Sequence, residues 1–250
     1  MVTLAPRPLL EIAVDCVEDA VAACHAGADR LELVADLHTQ GLTAPAALIR
    51  EVVRACPVPV MAMVRPRAGD FVMDASERRE MQREAAAAVE AGAAGVVFGL
   101  LTATGHVPAE ASRELVASCR GVETVFHRAF DFTPDAFETL ETLVAMGVTR
   151  ILSAGVGTWA TPGEGEAFEA RCRRLGDLHR AAGGRIQILP GGGFRPANAA
   201  LALALTGCGA IHSACRPAAS GLPCGAPPRL DPAMVGAMRR AMDEAAGFRA

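Results

Sequence analysis

Eight times along 250 residues a short run of β-forming residues gives way to a longer alanine-rich stretch with helical spacing. The β-rich runs are LLEIAV from Leu9, RLELVA from Arg30, PVMAMVR from Pro59, GVVFGL from Gly95, ETVFHRAF from Glu123, RILSAG from Arg150, RIQILPGG from Arg185 and AIHSA from Ala210. Between and after them, segments 16–27, 45–55, 75–91, 108–120, 134–146, 164–182, 196–206 and 231–246 carry apolar residues at helical period. Gly27, Gly92, Gly147 and Gly207 stand where helices should stop, and Pro45, Pro108, Pro134 and Pro196 where helices should start. Eight strand–helix alternations with crossovers this long predict a closed parallel (β/α)8 TIM barrel, in α/β class, as one domain over residues 1–250. An open doubly wound sheet is the alternative. A dinucleotide-binding version should show GxGxxG after the first strand, and AVDCVEDA stands there instead.

One compositional absence removes a class of chemistry. All 24 basic residues are arginine, so the chain has no lysine amine, which excludes Schiff-base aldolase chemistry and covalent attachment of pyridoxal phosphate. A net charge of -4 offers no basic field for a nucleic-acid backbone or an anionic membrane, so neither is expected as a partner. No signal-peptide pattern and no apolar stretch of spanning length are present, which predicts a cytoplasmic protein. The eight cysteines are scattered without a CxxC pair and are expected to be small buried residues. Segment 216–231, RPAASGLPCGAPPRLD, is aperiodic and rich in Pro, Gly and Ala, and reads as a mobile loop before the last helix.

In such a barrel the chemistry lies at the C-terminal strand ends. There the sequence offers Glu11, Glu32, Arg65, His127 and Asp131 as candidate catalytic residues. Glu11 and Glu32 sit inside apolar strands, where an ionised carboxylate needs a compensating charge, hydrogen bond or metal. That compensation is either a structural ion pair with Arg65 or Arg128, or a catalytic or metal role. His127 and His212, at the ends of the fifth and eighth strands, are the candidate metal ligands or proton carriers. The run LPGGGFRPAN leaves the seventh strand through Gly191, Gly192 and Gly193 and enters a helix at Pro196, a pattern that suits a phosphate or carboxylate, with Ser213 on the neighbouring strand as a further contact.

The segments ADRLELVADLHTQGLTAP, VMAMVRPRAGDF, GVVFGLLTATGHV, VFHRAFDFTPDAFETL, GVTRILSAG, RIQILPGGG and IHSA, in this order, resemble the CutC copper-homeostasis family over roughly residues 9–216. The resemblance implies a cytoplasmic (β/α)8 barrel, self-association as a homo-oligomer, and a part in copper handling with a copper ion as ligand. The chain departs from the family where copper is concerned. Relatives to which copper binding has been attributed carry Cys in the first strand and just after the glutamate of the second, where this chain has Ala13 and Val34. Three readings therefore stand: a copper-homeostasis protein binding copper or another divalent metal, an acid/base enzyme acting on a small phosphorylated or carboxylated metabolite, and a non-catalytic oligomeric barrel.

Overall fold

The computed structural model describes residues 6–119, 121–156, 167–217 and 229–248. Eight strands form one parallel sheet: β1 (Leu9–Val14), β2 (Arg30–Leu33), β3 (Val60–Met63), β4 (Gly95–Phe98), β5 (Glu123–Phe126), β6 (Arg150–Ser153), β7 (Gln187–Pro190) and β8 (Ala210–Ser213). Their order is β7-β6-β5-β4-β3-β2-β1-β8, so the last strand pairs with the first and the sheet curls into a nearly closed barrel. At the remaining seam, between β7 and β8, the Ser213 hydroxyl donates to the Phe194 carbonyl at 3.0 Å instead of a ladder. The helices are α1 (Val17–His25), α2 (Ala46–Ala55), α3 (Ala75–Glu90), α4 (Ala109–Ser118), α5 (Ala136–Ala145), α6 (Phe168–Ala182), α7 (Pro196–Thr206) and α8 (Pro232–Ala245).

The two-residue period of the strands divides the core into two layers. On β1, Leu10, Ile12 and Val14 face the helices and join one large apolar cluster with Ala20, Ala23 and Val235. The alternate face fills the barrel interior, where Met61, Met63, Val97, Val125, Leu152 and Leu189 form a second cluster. Glu11, Arg30 and Glu32 occupy the same inward parity, so the alternation that builds the apolar core also carries charge into it.

Expected and observed helix limits differ by two residues or fewer at most ends. Asp74, Asp135 and Asp231 cap α3, α5 and α8 with their carboxylates, and the four glycines expected at helix ends all have positive φ. The run ETVFHRAF is the main departure. β5 stops at Phe126, and Arg128–Phe132 turns into a 3-10 helix because the His127 ring accepts the Ala129 N–H at 3.0 Å. The expected mobile loop 216–231 falls largely outside the described residues. Its described ends are anchored: Arg216 bonds Asp15 at 2.8 Å and Asp19 at 3.1 Å, while Arg229 bonds Asp19 at 2.9 Å. The described cysteines are free thiols, five of them buried, and Cys224 lies outside the described residues.

Candidate functional site

Charge inside the barrel is arranged in two tiers. In the lower tier Arg30 on β2 donates its Nε to Glu11 on β1, and Arg150 on β6 bonds both Glu123 and Gln187 on the strands beside it. Burial alone would raise the Glu11 carboxyl, but Arg30 and His212 together outweigh it and bring it down to about 2. Glu11 is thus a structural carboxylate. Its expected partners were Arg65 or Arg128. Arg30 takes that role because the β1–β2 register sets Glu11 opposite it.

The upper tier opens into a cavity of about 250 Å³ at the C-terminal strand ends, lined by Glu32, Arg65, His127, Arg128, Arg195, His212 and Ser213 with Gly192, Gly193 and several apolar side chains. Glu32 is 4% exposed and leaves Oε1 without a hydrogen-bond partner among the described residues. Burial, reinforced by the Glu11 charge, pushes its carboxyl up to about 7 against the pull of His212 and Arg30. His212 stands between the two carboxylates, with Nδ1 2.8 Å from Glu11 and Nε2 3.8 Å from Glu32. Burial works against its protonation, yet Glu32 and Glu11 raise its pKa overall. Near neutral pH a proton can therefore be held by either member of the Glu32–His212 pair, which suits general acid/base work.

His127 is different in kind. Its Nδ1 accepts from Ala129, so the neutral ring carries its proton on Nε2. Burial and the adjacent Arg65 and Arg128 guanidiniums push its pKa down to about 3. Its Nε2 is buried without a partner among the described residues. Gly99 makes room for the ring, since a Cβ there would lie 2.3 Å from it, and Phe71 packs beside it at 5.0 Å between centroids.

The glycine run forms the opposite wall. Gly192 and Gly193 both have positive φ and line the cavity, and among the described residues their N–H groups meet no protein acceptor. Gly191 does not line it, for its N–H is taken by Ser153 at 2.9 Å. Asn198 in the first turn of α7 fastens the loop, accepting from Arg195 N–H at 2.8 Å and donating to the Gly193 carbonyl at 3.1 Å. Ser213 lines the cavity, but its hydroxyl proton is committed to Phe194. Anion contacts on this wall would come from backbone N–H groups, the start of α7 and Arg195.

Two further candidates have other contacts. Arg65 donates to the carbonyls of Thr39, Gly41 and Gly69, bracing the loops after β2 and β3 while its face lies 5.1 Å from the Phe71 ring centre. Asp131 lies outside the cavity lining and is engaged by Arg128, the Ser153 hydroxyl and the Ala154 N–H. It ties the 3-10 turn to β6. Residues absent from the sequence-based set are Arg30, Arg195, Gln40 and Gly99. Arg30 shares inward parity with Glu32, a signal that the strand pattern contained. Gln40 lines the cavity with φ +67, an uncommon conformation for a residue with a side chain.

Glu11, Glu32 and His212 can bring one ligand atom each within 4.8 Å of one another. Each Glu11 oxygen already accepts a hydrogen bond from Arg30 or His212, so Glu32 and His212 Nε2 are the less engaged members of this group, a sparse set for a metal. The expected pairing of His127 with His212 as ligands is not assembled in this group. In its observed hydrogen bonding, moreover, His127 has no lone pair at Nε2 for a metal.

The CutC family model matches residues 8–216. Among curated relatives, a CutC family protein of Sinorhizobium medicae is 42% identical over 84% of this chain and 82% of its own. The human copper homeostasis protein cutC homolog is 39% identical over 83% of this chain and 72% of its own. A crystal structure from Streptococcus agalactiae, described as a copper homeostasis protein CutC, superposes with a TM-score of 0.76 at 31% identity, covering 83% of this chain and 98% of that one. A phosphoribosyl anthranilate isomerase from Thermotoga maritima, with a TM-score of 0.61 at 15% identity, covers 95% of this chain and 99% of its own and shares the fold alone. The cavity residues do not fit a cuprous ion. Among the described residues its lining has no cysteine, Ala13 and Val34 supply no ligand atoms, and Met63 is the only sulfur there.

Proposed function

The chain belongs to the CutC family, and from that premise we propose that it is an acid/base enzyme acting on a small phosphorylated or carboxylated metabolite, with any link to copper homeostasis running through that chemistry. The observation that carries this reading is the placing of Glu32, ionising near 7, and His212 in one cavity with the Gly192–Gly193 turn and Arg195. A base and an anion cradle serve a reacting ligand, whereas a cuprous site needs soft donors. In this reading Glu32 and His212 exchange a proton with the ligand, the glycine N–H groups and Arg195 hold its anionic end, and Arg65 keeps the mouth in shape. The reading also takes the protein to be cytoplasmic and self-associating, without nucleic-acid or membrane partners. Its support there is the net charge of -4, the family resemblance, and the absence among the described residues of any helix long and apolar enough to cross a membrane.

Thermal unfolding with inorganic phosphate tests the reading. At about a hundredfold excess over Kd, phosphate should raise Tm by roughly 5–10 °C, and Arg195→Ala should remove most of that rise. Stoichiometric Cu(I) binding under reducing conditions that disappears in His212→Ala, with no response to phosphate, would overturn it.

A further inference from the structure

His127 is a buried hydrogen-bond donor with no acceptor among the described residues, and its ring lines a cavity that also holds a base. Because Ala129 N–H occupies Nδ1, the only proton of the neutral ring is on Nε2, and Nε2 has no partner among the described residues. The ring cannot easily turn away: Gly99 leaves just enough space for it on one side and Phe71 packs beside it. Burial, helped by the Arg65 and Arg128 charges, disfavours an imidazolium and keeps the ring neutral down to about pH 3. A donor that stays neutral and does not ligate a metal suits an oxygen on which negative charge develops.

We propose that His127 donates its Nε2–H to the carbonyl oxygen of a phosphorylated carbonyl compound while Glu32 removes a proton from the carbon beside that carbonyl. The C–H bond breaks and its electron pair becomes the new C=C bond. The carbonyl π pair moves onto oxygen, where the His127 hydrogen bond stabilises the enolate. In a substrate with a hydroxyl on that carbon, Glu32 returns the proton to the former carbonyl carbon while the hydroxyl proton passes to the former carbonyl oxygen and the hydroxyl oxygen becomes the new carbonyl, so the step is an isomerisation that needs no oxidant, reductant or second substrate. The proposal rests on the anion-binding reading above and names its substrate class.

The test uses the whole protein with 2-phosphoglycolate, whose carboxylate mimics an enediolate, and inorganic phosphate as reference. Nitrogen NMR of labelled histidine should find His127 neutral with its proton on Nε2 from about pH 5 to about pH 9, and the Nε2–H signal should move downfield on adding 2-phosphoglycolate. Calorimetry should show 2-phosphoglycolate binding about tenfold or more tighter than phosphate. His127→Phe should abolish that preference while leaving the phosphate affinity unchanged. A proton on Nδ1, titration of His127 near neutrality, or a His127→Phe protein that keeps the preference would each overturn the proposal, and the NMR readout does so even if the variant fails to fold. If phosphate binds and 2-phosphoglycolate gains nothing over it, the enolate role falls and the anion site stands. If neither binds, both fall.

Discussion

Glu11 and Glu32 sit on adjacent strands, are 2% and 4% exposed, and end in opposite states. Glu11, in the lower tier, has both oxygens bonded and is held down to about 2, whereas Glu32, at the mouth, keeps a bare oxygen and rises to about 7. Burial pushes both in the same direction. The difference is the Arg30 guanidinium, which reaches Glu11 directly and acts on Glu32 only through its field. Depth in the barrel therefore does not decide whether a carboxylate is structural or reactive. The number of donors aimed at it does.

The sharpest way to break this contrast is to remove Arg30. Arg30→Ala leaves the Glu11 charge buried with His212 as its remaining hydrogen-bond partner among the described residues and Arg150 acting only through its field, and should cost about 3–5 kcal/mol in urea unfolding. A loss below about 1 kcal/mol would mean that the lower tier is not held by this pair. Next in size is the seat of the neutral histidine. Gly99→Ala puts a methyl into the His127 ring, for an overpacking cost of about 1–3 kcal/mol by the same measurement. An unchanged stability would show that the ring has room to move.

A third effect is a difference of sign with pH. Glu11 is lowered from 4.5, so its stabilisation is present above the unfolded value and lost as pH falls through about 2. Glu32 is raised from 4.5, so its contribution is complete below the unfolded value and lost as pH rises through about 7. Glu32→Gln has no such loss. Its Tm relative to the parent should improve by roughly 5–10 °C between pH 5 and pH 8. A flat difference would put the Glu32 carboxyl back in the ordinary range.

The barrel was legible because its signals are local and repeated: strand period, helix period, and the turn residues between them all lie within a few positions of one another. Glu32, His127, His212, Gly192 and Gly193 were legible as strand-end residues for the same reason. Pairing was not. That Arg30 rather than Arg65 meets Glu11, and that His212 rather than His127 joins the carboxylates, follows from the β1–β2 and β1–β8 registers, which no single segment encodes. The departure of His127 from its strand was also hidden, because it rests on a bond from its own ring to Ala129. Gly99 looked like an ordinary strand glycine until the ring that fills its missing side chain was in view.

Asp19 gathers Arg216, Arg229 and the Leu230 N–H from the two sides of the stretch that precedes α8. A peptide-bond break between residues 218 and 228 would cut the covalent path to α8 and leave these contacts in place, together with the packing of Val235, Met238 and Met242 into the core. Among the described residues, α8 is fastened by these contacts as a docked piece would be, through side chains as well as through the chain.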